Sequence, residues 1–92
     1  MFIYAVHYKK NDNECYVIDK VKYSYLLENE SEYEATKASI IDTINDGLDV
    51  YTKYKEDGQY VIGDKVIVVK CSYIRTDGSN IEEDNLGNLP RY

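Results

Sequence analysis

The chain has 92 residues, with 17 Asp and Glu, 11 Lys and Arg and one His, for a formal net charge of −6. Its pI of 4.6 excludes a general binder of phosphate backbones, which needs a surplus of basic residues. The mean hydropathy of −0.56 and the absence of an apolar run near ~18 residues exclude a helical membrane span, and the length allows one domain, residues 1–92.

Residues 2–8 read as a strand, with Phe2, Tyr4, Val6 and Tyr8 on one face and Ile3, Ala5 and His7 on the other. Lys9 to Glu14 is polar and turn-forming, and residues 15–23 read as a second strand, so the two predict a hairpin. Ser31-Glu32-Tyr33-Glu34 matches a capping box. Tyr33, Lys37, Ile40, Ile41, Ile44 and Leu48 then recur at helical spacing, and Asn45-Asp46-Gly47 supplies a stop, which predicts a helix over residues 32–46. Residues 48–54 alternate as a strand. Tyr60 to Ile62 is a short strand followed by a turn at Gly63-Asp64. Residues 65–75 carry the strongest strand signal, with Val66-Ile67-Val68-Val69 expected to be buried on both faces. The expected fold is α+β: one small domain with a mostly antiparallel sheet of four to five strands and the helix packed on one face.

Eleven tyrosines, one Phe and no Trp make tyrosine the main source of large side chains, as sheet residues or as a face for self-association. Cys15 and Cys71 lie in no Cys-x-x-Cys pattern and are expected to be reduced and at least partly buried. Met1 to Tyr4 has no basic n-region, so a cytoplasmic location is the expectation. His7 is the one histidine, no cluster has zinc spacing, and no phosphate loop or Gly-x-Ser-x-Gly is present. Asp77-Gly78-Ser79-Asn80 begins like a calcium loop but lacks the later acid and glycine. No catalytic residue, metal or cofactor is therefore expected.

Residues 26–49 hold seven acids against Lys37, a local charge of −6 that equals the net charge of the chain. Glu32 and Glu34 suit a first helical turn, whereas Asp46 sits at the wrong end for the helix dipole. A solvated acidic face that keeps a small domain soluble is the first explanation of this pattern; a surface for a basic partner is the second. Arg75 ends the strongest strand and is suited either to clamp Asp77 or Asp84, with Leu86 and Leu89 pinning the tail, or to grip an anion.

Tyr73-Ile74-Arg75-Thr76-Asp77-Gly78, followed after five residues by Asp84-Asn85-Leu86-Gly87-Asn88-Leu89-Pro90, resembles the end of a family of small bacterial and phage proteins, the domain of unknown function numbered 3892. Weaker agreement extends back through Ile44-Asn45-Asp46-Gly47 to the N-terminal strand. The resemblance implies a shared fold and a phage or bacterial setting, and it carries no catalytic residue.

The expected function is a non-enzymatic acidic binding module. In the setting the resemblance implies, it is a phage-encoded inhibitor or modulator of a host protein with a basic surface, such as a nuclease or other defence protein. Glu34, Asp42, Asp46 and Asp49 would form the contact. The alternative is a small-ligand binder in which Tyr73, Arg75, Asp77, Asn80 and Asn85 hold a nucleotide-like anion. Direct nucleic-acid binding and membrane association are not expected, and a homo-oligomer is left open.

Overall fold

The computed structural model describes residues 1–30, 33–70, 72–78, 84, 86, 87 and 89–92. The elements are β1 (Phe2–Lys10), β2 (Tyr16–Ser24), β3 (Tyr33–Thr36), α1 (Lys37–Asn45), β4 (Tyr51–Glu56), β5 (Gln59–Val69) and β6 (Tyr73–Thr76). They form one six-stranded sheet in the order β3-β2-β1-β4-β5-β6. The sheet is mixed, because β1 and β4 run parallel through Phe2↔Tyr51 and Ile3↔Thr52 while the other pairs are antiparallel. The α+β class agrees with expectation. The strand count and the parallel pair do not.

The β1–β2 hairpin forms as predicted, but the strict alternation of β1 is corrected: register shifts between Ile3 and Ala5 and between His7 and Tyr8 bring Ile3 and Val6, expected on opposite faces, into one core. Its turn is held by Asn11, whose Oδ1 accepts the N–H groups of Asn13 and Cys15 at 2.9 and 3.0 Å. Cys15 is free and exposed rather than partly buried; Cys71 lies outside the described residues.

The predicted helix over 32–46 is corrected at its start. Tyr33 to Thr36 form β3, paired antiparallel with β2 from Tyr23↔Tyr33 to Lys20↔Thr36. Tyr33 stacks on Tyr23, ring centroids 5.6 Å apart, so cross-strand pairing outweighs the capping-box signal. Ser31 and Glu32 of that box lie outside the described residues. Thr36 is the N-cap, its side chain accepting the Ser39 N–H at 3.2 Å. Gly47, at φ +92°, turns the chain out of the helix, which leaves Leu48 62 % exposed and off the apolar stripe. Ile40 is fully buried, and Ile41 and Ile44 pack beside it.

The predicted turn at Gly63-Asp64 is a bulge inside β5. Thr52 alone faces both residues, since the register passes from Tyr51↔Lys65 to Lys53↔Ile62. The Thr52 hydroxyl fills the space and accepts the Asp64 N–H at 3.1 Å. A Cβ on Gly63 would collide with Thr52 Oγ1, so glycine is required there. The real break comes later, at Lys70 (φ 53°), which separates β5 from β6. Val66 is buried, but Ile67, Val68 and Val69 are only half-buried because β5 and β6 form the hairpin at the sheet's edge.

The core joins Ile3, Val6, Ile18, Val21, Ile40, Val50, Val66, Ile74 and Leu86. Asp84 closes it. Its carboxylate is fully buried and accepts the Ile18 N–H of β2, the Ile74 N–H of β6 and the Lys37 ammonium of α1, each at 2.9 Å. In a flat sheet, strands four places apart stand about 19 Å from each other. One side chain reaches both β2 and β6, so the sheet is curled around its core. The tail completes this closure. β4 leaves β1 after Ile3, and Pro90 to Tyr92 fill the vacated slot. The Val6 N–H donates to the Pro90 carbonyl at 2.9 Å, and the Tyr92 N–H donates to the Val6 carbonyl at 3.1 Å.

Removing one partner of a buried ion pair strands the other and, here, two backbone donors. Asp84→Ala should therefore lower the unfolding free energy by about 3 kcal/mol or more in urea titrations. Lys9→Ala, which breaks only the exposed Lys9–Asp19 pair, should change it by less than about 1 kcal/mol. Gly63→Ala should cost about 1–3 kcal/mol through overpacking against Thr52, and an unchanged midpoint would refute the bulge argument.

Candidate functional site

The charged groups divide unevenly. Five lysines are held in ion pairs: Lys9–Asp19 at 3.3 Å, Lys20–Glu34 at 3.5 Å, Lys37–Asp84 at 2.9 Å, Lys55–Glu30 at 2.6 Å and Lys65–Asp49 at 3.2 Å. Other bases lie over tyrosine rings: Lys10 over Tyr16, Lys22 over Tyr92, Lys53 over Tyr60 and Arg91 over Tyr8, at 5.5, 4.6, 4.1 and 4.6 Å from the centroids. The internal structure thus engages most of the cations. Among the described residues, Asp42 and Asp46 enter no such ion pair and are exposed.

The four acids singled out from the sequence do not form one face. Ala35 packs against the core, so by strand alternation Glu34 lies on the opposite side of the sheet from α1. Asp42 and Asp46 stand one turn apart on α1, the second as the C-cap residue, and Asp49 follows beside the exposed Leu48. These three make a continuous acidic segment. Asp49 is drawn toward Lys65, whose ammonium it holds above the usual lysine range by hydrogen bonding.

At the other end, Tyr73 and Arg75 alternate with the buried Ile74 and Thr76, which places the first two on the outer side of β6. Arg75 Nη1 donates to the Thr76 carbonyl at 3.1 Å, and Lys37 lies 5.8 Å from the Tyr73 ring centroid. Asp77 is exposed, its N–H donating to the Lys65 carbonyl at 2.9 Å. Asn80, Asn85 and Asn88 lie outside the described residues. Of the two carboxylates proposed to clamp Arg75, Asp84 goes to Lys37 instead. Leu86 is buried in the core and Leu89 packs against it, as expected of a pinned tail.

The sequence pattern did not reveal Lys53. It is completely buried, and its ammonium donates to Ser24 Oγ at 2.6 Å, to the Leu27 and Leu26 carbonyls at 2.9 and 3.3 Å, and to the Asn29 carbonyl. The rings of Tyr60 and Tyr4 flank it. Burial pushes its pKa down, against a smaller opposing pull from Glu30. Glu30 accepts from the Tyr60 hydroxyl at 2.9 Å and is held below the usual carboxylate range, first by Lys55 and then by Tyr60. Burial and that hydrogen bond push the Tyr60 phenol up to about 12. His7 donates from Nδ1 to the Tyr92 carbonyl, with the Tyr92 ring beside it. A patch of Tyr23, Tyr25 and Tyr33, centroids 5.5–5.7 Å apart, covers the β2–β3 end. Among the described residues, no three His, Cys, Asp or Glu side chains gather as a metal site, and no helix is long and apolar enough to cross a membrane.

Residues 2–90 match the model of a family described as Protein of unknown function (DUF3892). No curated protein and no solved structure matches the chain.

The raised phenol of Tyr60 makes stability depend on alkali. The unfolded chain loses this proton near pH 10 while the folded chain keeps it to about pH 12, so stability falls across that window. Lys53 acts in the opposite sense at lower pH: its folded pKa is depressed, so its contribution rises with pH up to about 10.5 and then levels. Tyr60→Phe should flatten the decline between pH 10 and about 12 in denaturant titrations; parallel profiles would show that the phenol is not held by Glu30.

Proposed function

The chain belongs to the DUF3892 family, and we propose that it is a non-catalytic binding module whose acidic surface at Asp42, Asp46 and Asp49 engages a basic partner protein. The observation that supports this reading is where the acids stand. Asp42 and Asp46 are like charges one helical turn apart, which is unfavourable by a few tenths of a kcal/mol. Asp46 also caps the negative end of the helix dipole. Neither is offset by a lysine among the described residues. Acids that weaken their own helix suit a surface kept for a partner. Leu48, exposed between Asp46 and Asp49, adds an apolar contact inside a charged rim.

The partner class follows from charge. A protein that binds nucleic acid carries a Lys- and Arg-rich face, and an acidic surface is complementary to it. In a phage or bacterial setting this reading makes the partner a cytoplasmic host protein, such as a nuclease or another defence protein, whose basic face is covered. Glu34 lies on the other side of the sheet, bound to Lys20, and is not part of this contact. Catalysis is not part of the reading: the one histidine is occupied by the tail, and the buried lysine is enclosed by carbonyls.

Two measurements on one variant test it. Asp42→Asn with Asp46→Asn should raise the unfolding free energy by about 0.3–1 kcal/mol, because both changes relieve the helix. The same variant should bind a partner captured from host lysate roughly tenfold more weakly, and wild-type binding should itself weaken between about 0.05 and 0.5 M salt. Affinity unchanged by salt or by the double variant would overturn the reading.

A further inference from the structure

The outer side of the sheet carries a pocket of about 510 Å³ bounded by β1, β2, β4 and β5. That size lies within the usual range for small-molecule sites, about 300–1,000 Å³. Its chemistry is uniform. Lys22, Lys53 and Lys55 bring three lysines to it, the rings of Tyr4 and Tyr60 flank Lys53, and no carboxylate among the described residues lines it. Pro90 of the docked tail forms one wall. In a chain of net charge −6, this is a local reversal of sign.

We propose that this pocket binds a small ring-bearing anion of the nucleoside monophosphate class, with the phosphate at Lys22 and Lys55 above Lys53 and the ring against the tyrosines. The floor carries the argument. Lys53 is fully buried, yet the oxygens it donates to are a serine hydroxyl and three peptide carbonyls. These satisfy its hydrogens without neutralising its charge, and a buried unbalanced charge is unfavourable. Among the described residues, Glu30 is the carboxylate that acts on Lys53; its pull is smaller than the effect of burial, and it is shared with Lys55 at 2.6 Å and the Tyr60 hydroxyl at 2.9 Å. An anion in the pocket supplies the missing negative charge.

The rim is free to rearrange. The Lys55–Glu30 pair is more than half exposed on both sides, and such pairs are weak, so a phosphate competes for Lys55. Lys22 lies over the Tyr92 ring at 4.6 Å, opposite Glu34 in the β2–β3 register and in no ion pair among the described residues, and a charge-assisted hydrogen bond to phosphate is stronger than that ring contact. The Tyr4 and Tyr60 rings, with centroids 6.3 Å apart, offer a surface for stacking, an interaction open to any planar base. The site shares no residue with the acidic segment or with the Arg75 segment, so it stands or fails independently of the function proposed above.

The test is calorimetric titration of the full chain with adenosine monophosphate, adenosine and inorganic phosphate. Adenosine monophosphate should bind saturably at one site, and adenosine and phosphate should each bind at least about tenfold more weakly. Lys22→Gln and Tyr4→Ala, both at partly exposed positions, should each weaken adenosine monophosphate binding about tenfold while leaving cooperative thermal unfolding intact. Amide and ring shifts in wild-type protein should centre on Tyr4, Lys22, Lys55 and Tyr60, which maps the site even if a variant fails to fold. Absence of saturable binding, binding that survives both variants, or phosphate alone binding as tightly as the nucleotide would each overturn the proposal.

Discussion

One buried carboxylate sets the shape of the molecule. Asp84 satisfies two backbone donors on β2 and β6 and holds the first residue of α1. Its three partners come from segments separated by 10 to 66 residues, so the contact forms only when the curled sheet and the helix are already in place. A buried ion pair by itself adds little net stability. This one does more than pair a charge, because the same carboxylate is the acceptor for N–H groups that no neighbouring strand serves. The Asp-Asn-Leu stretch that stands out in the sequence is thus first of all a closing device, with Leu86 entering the core just beyond the carboxylate.

The parts of this fold that were legible in the sequence are those set by local pattern. Alternation marked β1 and β2 as strands, though not the register shifts that put both Ile3 and Val6 in the core, and the recurrence of Ile40, Ile41 and Ile44 marked the inner face of α1. What was not legible depends on distant partners. Ser31 and Glu34 suit a helix start, but Tyr33 gains a ring partner on Tyr23 only if the segment is extended. Gly63-Asp64 has the composition of a turn, and only the Thr52 hydroxyl across the sheet makes it a bulge. Lys53 is the hardest case. It sits in a polar strand, and beside the Ser24 hydroxyl three of its four acceptors are main-chain carbonyls of residues 26, 27 and 29, which leave no side-chain signature. The acidic segment was visible as a count of charges. That Glu34 faces away from it was not, since this follows from β3 being a strand.

The two sides of the sheet handle charge differently. On the helix side, the exposed Asp42 and Asp46 enter none of the ion pairs that tie up most lysines among the described residues. On the outer side, lysines are set among phenol rings, which solvate a cation weakly and leave much of its field intact. A net charge near −6 is therefore an average over two regions of opposite character, and the total alone describes neither.

The docking of Pro90 to Tyr92 beside β1 has a consequence for the order in which the molecule is assembled. β1 leaves the ribosome first, and the backbone groups of Val6 that face away from β2 find their partners in residues made more than eighty positions later. Until then the second half of β1 is an open strand edge, the kind of surface that pairs with other chains. A contact of such long sequence separation is also slow to form. Between the synthesis of β1 and that of the tail, the nascent chain carries this edge uncovered, and docking of Pro90 to Tyr92 is what conceals it.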